Sequence, residues 1–143
     1  MRRSITVAAA VALLACASSA SAATYSFNVA LNSASQCASH LPCDPGASGT
    51  ASITMNDSTN QVCWTVTTSG IGTAGNGGIY EGAAGQPASP APVVAFTSLP
   101  SGCSLSGAIA VMVRCPRQFN VTVRDLSFPA GAIRGQLGTT CST

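Results

Sequence analysis

Residues 24–31 alternate strictly between two faces. Tyr25, Phe27, Val29 and Leu31 share one side; Thr24, Ser26 and Asn28 share the other. A period of two is the pattern of a strand buried on one face only. It recurs along the chain. A second strand is expected near 49–55, with Ala51, Ile53 and Met55 inward, and a third at 61–68, with Val62, Trp64 and Val66 inward. Between them Asn56-Asp57-Ser58-Thr59-Asn60 supplies the turn residues of a hairpin. Residues 93–97 form a short strand, and 118–125 alternate again with Phe119, Val121 and Val123 inward. Residues 132–137 close the series, and Ala108–Val113 is an apolar run whose β-branched content favours a strand over a helical turn. Residues 69–91 are rich in Gly, Ala, Pro and Ser and are expected as a long loop. No internal repeat and no amphipathic helix stands out. About seven short strands separated by turn signals predict an all-β antiparallel sandwich or barrel.

Residues 1–22 have the composition of an export signal. Arg2 and Arg3 precede an apolar run, Ile5–Ala15, and Ala20-Ser21-Ala22 is a small-x-small cleavage site. The domain proper is then expected over 23–143. The apolar run is too short to span a bilayer, and no later stretch predicts a transmembrane segment. Leu13-Leu14-Ala15-Cys16 offers a second reading, a lipoprotein anchored through Cys16. With either signal, six cysteines remain: Cys37, Cys43, Cys63, Cys103, Cys115 and Cys141. An even set behind an export signal reads as disulfides. Closeness in sequence predicts Cys37–Cys43 and Cys103–Cys115 as local clasps. Cys63 points away from Trp64, and its partner is expected to be Cys141, pinning the C-terminal tail over the outer face of the sheet.

Charge is scarce. The full chain has six Lys+Arg, four Asp+Glu and a formal net charge of +2. Without Arg2 and Arg3, Arg114, Arg117, Arg124 and Arg134 face Asp44, Asp57, Glu81 and Asp125, and the domain is formally neutral. This excludes an electrostatic nucleic-acid binder, which needs a basic stripe. A single histidine, His40, excludes a multi-histidine metal centre. It also leaves nucleophilic catalysis with one candidate base, and there is no Gly-x-Ser-x-Gly elbow. No catalytic residue, metal ligand or cofactor is assigned. A cluster of Arg114, Arg117 and Arg124 is read as solvated side chains, and His40 as an isolated surface residue. Asn56-Asp57-Ser58 and Asn120-Val121-Thr122 match a glycosylation triplet, which has meaning only in a eukaryotic secretory host.

Two segments carry a resemblance. Phe119-Asn120-Val121-Thr122-Val123-Arg124 leads to Phe128-Pro129-Ala130-Gly131-Ala132-Ile133-Arg134-Gly135-Gln136-Leu137, and upstream stands Gly78-Ile79-Tyr80-Glu81-Gly82-Ala83-Ala84-Gly85. In this order the chain resembles the CHRD domain, found in chordin and in small exported bacterial proteins. The resemblance covers most of 24–138. It implies an extracytoplasmic Greek-key or immunoglobulin-like β-sandwich, here disulfide-stabilised, that serves as a non-catalytic binding or structural module for a protein or cell-surface component. Glu81, Gly82 and Gly85 upstream, and Ile133, Arg134, Gly135, Gln136 and Leu137 late in the chain, match residue by residue. The chain departs where the family commonly has His-Ile-His (here Gly78-Ile79-Tyr80), a further His (here Arg124) and a Glu (here Ala132), so no histidine-based role carries over. Arg134 is expected to pair with Glu81 or Asp125 and tie the last strand to the 78–85 loop; its alternative role is to hold an anionic ligand. Gly135 is expected to permit a close backbone approach or a bulge. The alternative of another class is a divergent metal-binding or redox protein built on the cysteines and His40; a third is a hydrolase.

Overall fold

The structure, a computed structural model, describes residues 22–39 and 41–142. Residues 1–21, which hold most of the expected export signal and Cys16, and His40 lie outside the described residues. Eight strands form one antiparallel sheet: β1 (Thr24–Asn32), β2 (Ser48–Asn56), β3 (Gln61–Ser69), β4 (Ala74–Glu81), β5 (Val94–Phe96), β6 (Ser101–Leu105), β7 (Phe119–Asp125) and β8 (Ile133–Gln136). Their order is β5-β4-β7-β8-β1-β2-β3-β6. The two strands at the ends of that order are consecutive in the chain, so the short connection 97–100 draws the edges together. Trp64 of β3 stacks on Phe96 of β5 with ring centroids 4.6 Å apart, and its indole N–H donates to the Ser98 carbonyl at 2.8 Å. The sheet is thus curled into a nearly closed barrel. The all-β antiparallel expectation stands, with eight strands rather than about seven and one continuous sheet carrying the hydrogen bonding.

The core follows the alternation. Val29 and Leu31 of β1, Ile53 and Met55 of β2, Val62, Trp64 and Val66 of β3, and Val121 and Val123 of β7 are all buried in one cluster. The β2–β3 hairpin turns at 57–60, where Asn56 accepts from the Ser58 and Thr59 amides and Asn60 takes a left-handed conformation (φ 54°). A short helix, α1 (Ser33–Cys37), is started by Asn32, whose side chain accepts from the Ser35 amide at 2.7 Å.

Three local expectations are corrected. Residues 74–81 are not loop but strand β4, paired with β5 on one side and β7 on the other. Glycine hides it: a Cβ on Gly77 would lie 3.1 Å from the Phe96 ring, and one on Gly78 would lie 2.6 Å from the Val94 carbonyl oxygen. Close neighbours, not propensity, make this segment extended. The Ala108–Val113 run is a helix, α2 (Ile109–Arg114), which buries Ile109 and Met112 at a three-residue spacing and leaves Val111 exposed. Its place in the strand count goes to β6.

That missed strand also changes the disulfides. Cys37–Cys43 forms as expected. Cys63, however, pairs with Cys103, and Cys115 with Cys141. Cys103 lies on β6 directly opposite Cys63 in the β3–β6 register, so the nearest partner is across the sheet rather than in the tail. The tail is fastened instead to the end of α2, where the Ser142 amide also donates to the Arg114 carbonyl at 2.7 Å.

Candidate functional site

The two motif segments meet on the outer face of β7 and β8. Because Val121, Val123 and Ile133 point into the core, Asn120, Thr122, Arg134 and Gln136 must point out. The register sets them as a two-by-two block, Asn120 opposite Gln136 and Thr122 opposite Arg134. Outward residues on a sheet normally meet solvent. Here Asn120 is 0 %, Thr122 1 % and Arg134 1 % exposed, because the chain leaving β4 folds back over them.

That covering segment, residues 82–92, is shaped by its glycines and prolines. Gly82 adopts φ 151° and Gly85 φ 73°, both in the region that only glycine enters freely. A Cβ on Gly82 would also lie 2.8 Å from the Pro87 carbonyl oxygen. The Gln86 amide closes a turn on the Ala83 carbonyl at 3.1 Å, and the Ser89 amide returns to the Glu81 carbonyl at 2.7 Å.

Arg134 clamps this loop. Its guanidinium donates to the Gln86 carbonyl at 2.6 Å, the Ala83 carbonyl at 2.9 Å, the Gly82 carbonyl at 3.0 Å and Gln136 Oε1 at 3.3 Å. Asn120 Nδ2 reaches the Gly82 carbonyl at 3.1 Å and the Tyr80 carbonyl at 3.2 Å, while its Oδ1 accepts from Thr122 Oγ1 at 2.8 Å. Gln136 Nε2 reaches the Gly82 carbonyl at 3.2 Å and, on the other side, the Arg117 carbonyl at 2.7 Å. Three side chains therefore converge on one carbonyl, that of Gly82. A buried carbonyl without a donor costs about 1–3 kcal/mol, and this network supplies donors to the backbone of an irregular segment laid against a sheet.

The expected ion pair of Arg134 is corrected. Its partners among the described residues are carbonyl oxygens and one amide. Glu81 is exposed, and its backbone N–H donates to Ser89 Oγ at 3.2 Å. Asp125 is occupied at the far end of β7, accepting from the Phe128 amide at 2.7 Å and the Gly72 amide at 3.3 Å. Burial without an opposing charge holds the Arg134 guanidinium below the usual arginine value. Burial pushes the Tyr80 phenol up, and the Arg124 guanidinium, 4.8 Å from the ring centre, acts in the opposite direction.

The remaining motif residues are structural neighbours of this block. Ile133 and Leu137 lie in the core. Gly135 faces β1, where a Cβ would run into the Ala30 carbonyl and the Val29 side chain. Beside the network lies an open cleft of 540 Å³. Ala83 and Ala84 form one wall, Arg117 and Gln118 another, and Gln136 and Thr139 the third. Arg117 and Gln118 come from a 3₁₀ turn (Pro116–Gln118) that leads into β7.

Residues 27–137 match the family model of the CHRD domain. The chain belongs to the CHRD domain family. Neither the curated proteins nor the solved structures contain a match to it. The match begins within β1 and ends on Leu137, so it takes in all eight strands of this CHRD domain, both motif segments and the loop between them. Among the described residues no helix is long and apolar enough to cross a membrane.

Sequence reasoning did not find Asn120 and Thr122. They look like ordinary outward strand positions, and the only hint was a loop after β4 long enough to lie on something.

Proposed function

We propose that this CHRD domain is a secreted or cell-surface, non-catalytic binding or structural module, acting on a protein or cell-surface component. The observation that carries the reading is the pairing of Cys37–Cys43, Cys63–Cys103 and Cys115–Cys141 within a CHRD fold. Disulfides of this kind persist in oxidising compartments, and family membership supports an extracellular setting. Pairing also takes all six cysteines of the domain away from metal or redox chemistry. The polar network supports a scaffold role, because Arg134, Gln136 and Asn120 direct their donors to loop carbonyls rather than to an open cavity.

The test is expression of the full chain, fractionation, a free-thiol count and mass analysis of the N-terminus. Recovery outside the cytoplasm, no free thiol and a start at Ala23 are expected; an acylated Cys16 would mark the lipoprotein form of the same module. Cytoplasmic retention with free thiols would overturn the reading, as would turnover in an ester and peptide substrate screen that is lost in His40→Ala.

A further inference from the structure

We propose that the 540 Å³ cleft between the 82–86 loop and the C-terminal segment is a recognition site for a carboxylate, presented by an acidic peptide segment of the partner. This deepens the binding-module reading and rests on it. Three observations converge. The first is the sign of the site. Arg117 lines the cleft and no carboxylate does, although the domain as a whole is formally neutral. Arg134 lies directly behind Gln136, which lines the cleft, and among the described residues its guanidinium is surrounded by carbonyl oxygens with no acid against it. Two positive charges therefore border the cleft, Arg117 at its surface and Arg134 buried behind Gln136, where the field is screened less.

The second observation is donor capacity. Arg117 Nε donates to Cys141 Sγ at 3.1 Å. Its terminal nitrogens donate to no protein group among the described residues, and neither do the side chains of Gln118 and Thr139 beside it. A guanidinium fork flanked by an amide and a hydroxyl is suited to the two oxygens of a carboxylate. The third is rigidity. The loop wall is clamped by Arg134, Asn120 and Gln136, and the opposite wall is tethered by Cys115–Cys141. A site whose walls are already ordered loses less freedom on binding.

The experiment is a nuclear magnetic resonance titration of the purified, disulfide-intact protein with a short Glu/Gly peptide. The same peptide with Gln for Glu, and inorganic phosphate, are run in parallel. Saturable shifts are expected at the amides of Ala83, Ala84, Gln118 and Thr139, weakening as salt is raised. Arg117→Gln, an exposed position that leaves the core resonances in place, is expected to reduce affinity about tenfold. The proposal fails if the acidic peptide produces no saturable shift, if the Gln peptide matches it, or if Arg117→Gln leaves affinity unchanged. Phosphate binding as tightly at the same amides would also overturn the carboxylate assignment. Failure here, with export and closed disulfides intact, would leave the module reading standing.

Discussion

The outer face of β1–β2–β3 and the outer face of β7–β8 are built from the same kind of residue and end in opposite environments. Thr65, between Trp64 and Val66, is exposed; Thr122, between Val121 and Val123, is 1 % exposed. On the first face Ser26, Asn28, Thr50, Ser52, Thr54 and Thr67 are exposed as well, and their hydrogen bonds run sideways: Thr50 to Thr67 at 2.7 Å, Ser52 to Asn28 at 2.9 Å. On the second face the polar side chains reach upward and hold a loop. The difference lies in length and charge. A threonine hydroxyl reaches its neighbour on the next strand, whereas Arg134 spans from the sheet to the backbone lying above it. One long donor-rich side chain, placed among amides, turns a solvent face into an interface.

Several changes test this contrast. The largest effect is expected at Gly135, where valine would collide with the Ala30 carbonyl and Val29. Gly135→Val should part β8 from β1 and remove the block from its strand, with a loss above about 4 kcal/mol, seen as failure to recover a cooperative urea transition. On the open side, the β3–β6 edge is held covalently. Replacing Cys63 and Cys103 together by Ser should cost about 4 kcal/mol, as expected for closing a loop of this length, and should leave hydrogen exchange in the 82–89 loop slow until global unfolding. Arg134→Met should do the reverse. It leaves the Ala83 and Gln86 carbonyls without their donor, for about 2–4 kcal/mol, and speeds exchange in residues 82–89 while the β1–β2–β3 amides stay protected.

A smaller effect belongs to pH. Burial raises the Tyr80 phenol above its ordinary value, so the folded state holds that proton more tightly than the unfolded chain. Its contribution is complete below about pH 10, the unfolded phenol value, and is lost as pH rises through the folded value. Tyr80→Phe should flatten the alkaline limb of the stability profile. The smallest effect is expected on the open face: Thr50→Val or Thr65→Val should change stability by less than about 0.5 kcal/mol. A cost of 2 kcal/mol there would mean that this face, too, is covered.

The strands that could be located beforehand are those whose inward residues are large and apolar. β1, β2, β3, β5, β7 and β8 all announce themselves through alternation around residues such as Phe27, Ile53, Trp64, Phe96, Val121 and Ile133. β4 and β6 do not, because their close neighbours require glycine: Gly77 and Gly78 against Phe96, Val94 and Pro92, and Gly102 against the Trp64 ring. α2 was hidden for the opposite reason, since Ile and Val are strand formers by preference and only packing of Ile109 and Met112 into the core makes a helix of them. The site was half legible. Arg134, Gln136, Glu81 and Gly82 stand out through the motif, yet the charge pairing expected of Arg134 with Glu81 or Asp125 gives way to backbone carbonyls. The carbonyls of residues 82–86 carry no trace in side-chain identity.

What the amino-acid order determined by itself is the alternation, the antiparallel all-β class and the core side chains that β1, β2, β3 and β7 contribute, because burial on one face of a strand is a local, period-two property. Tertiary structure decided which cysteines meet, which of two similar outer faces is covered and which groups the Arg134 guanidinium binds. Each of these depends on which segments become neighbours across the sheet, a long-range outcome that no window of the chain contains.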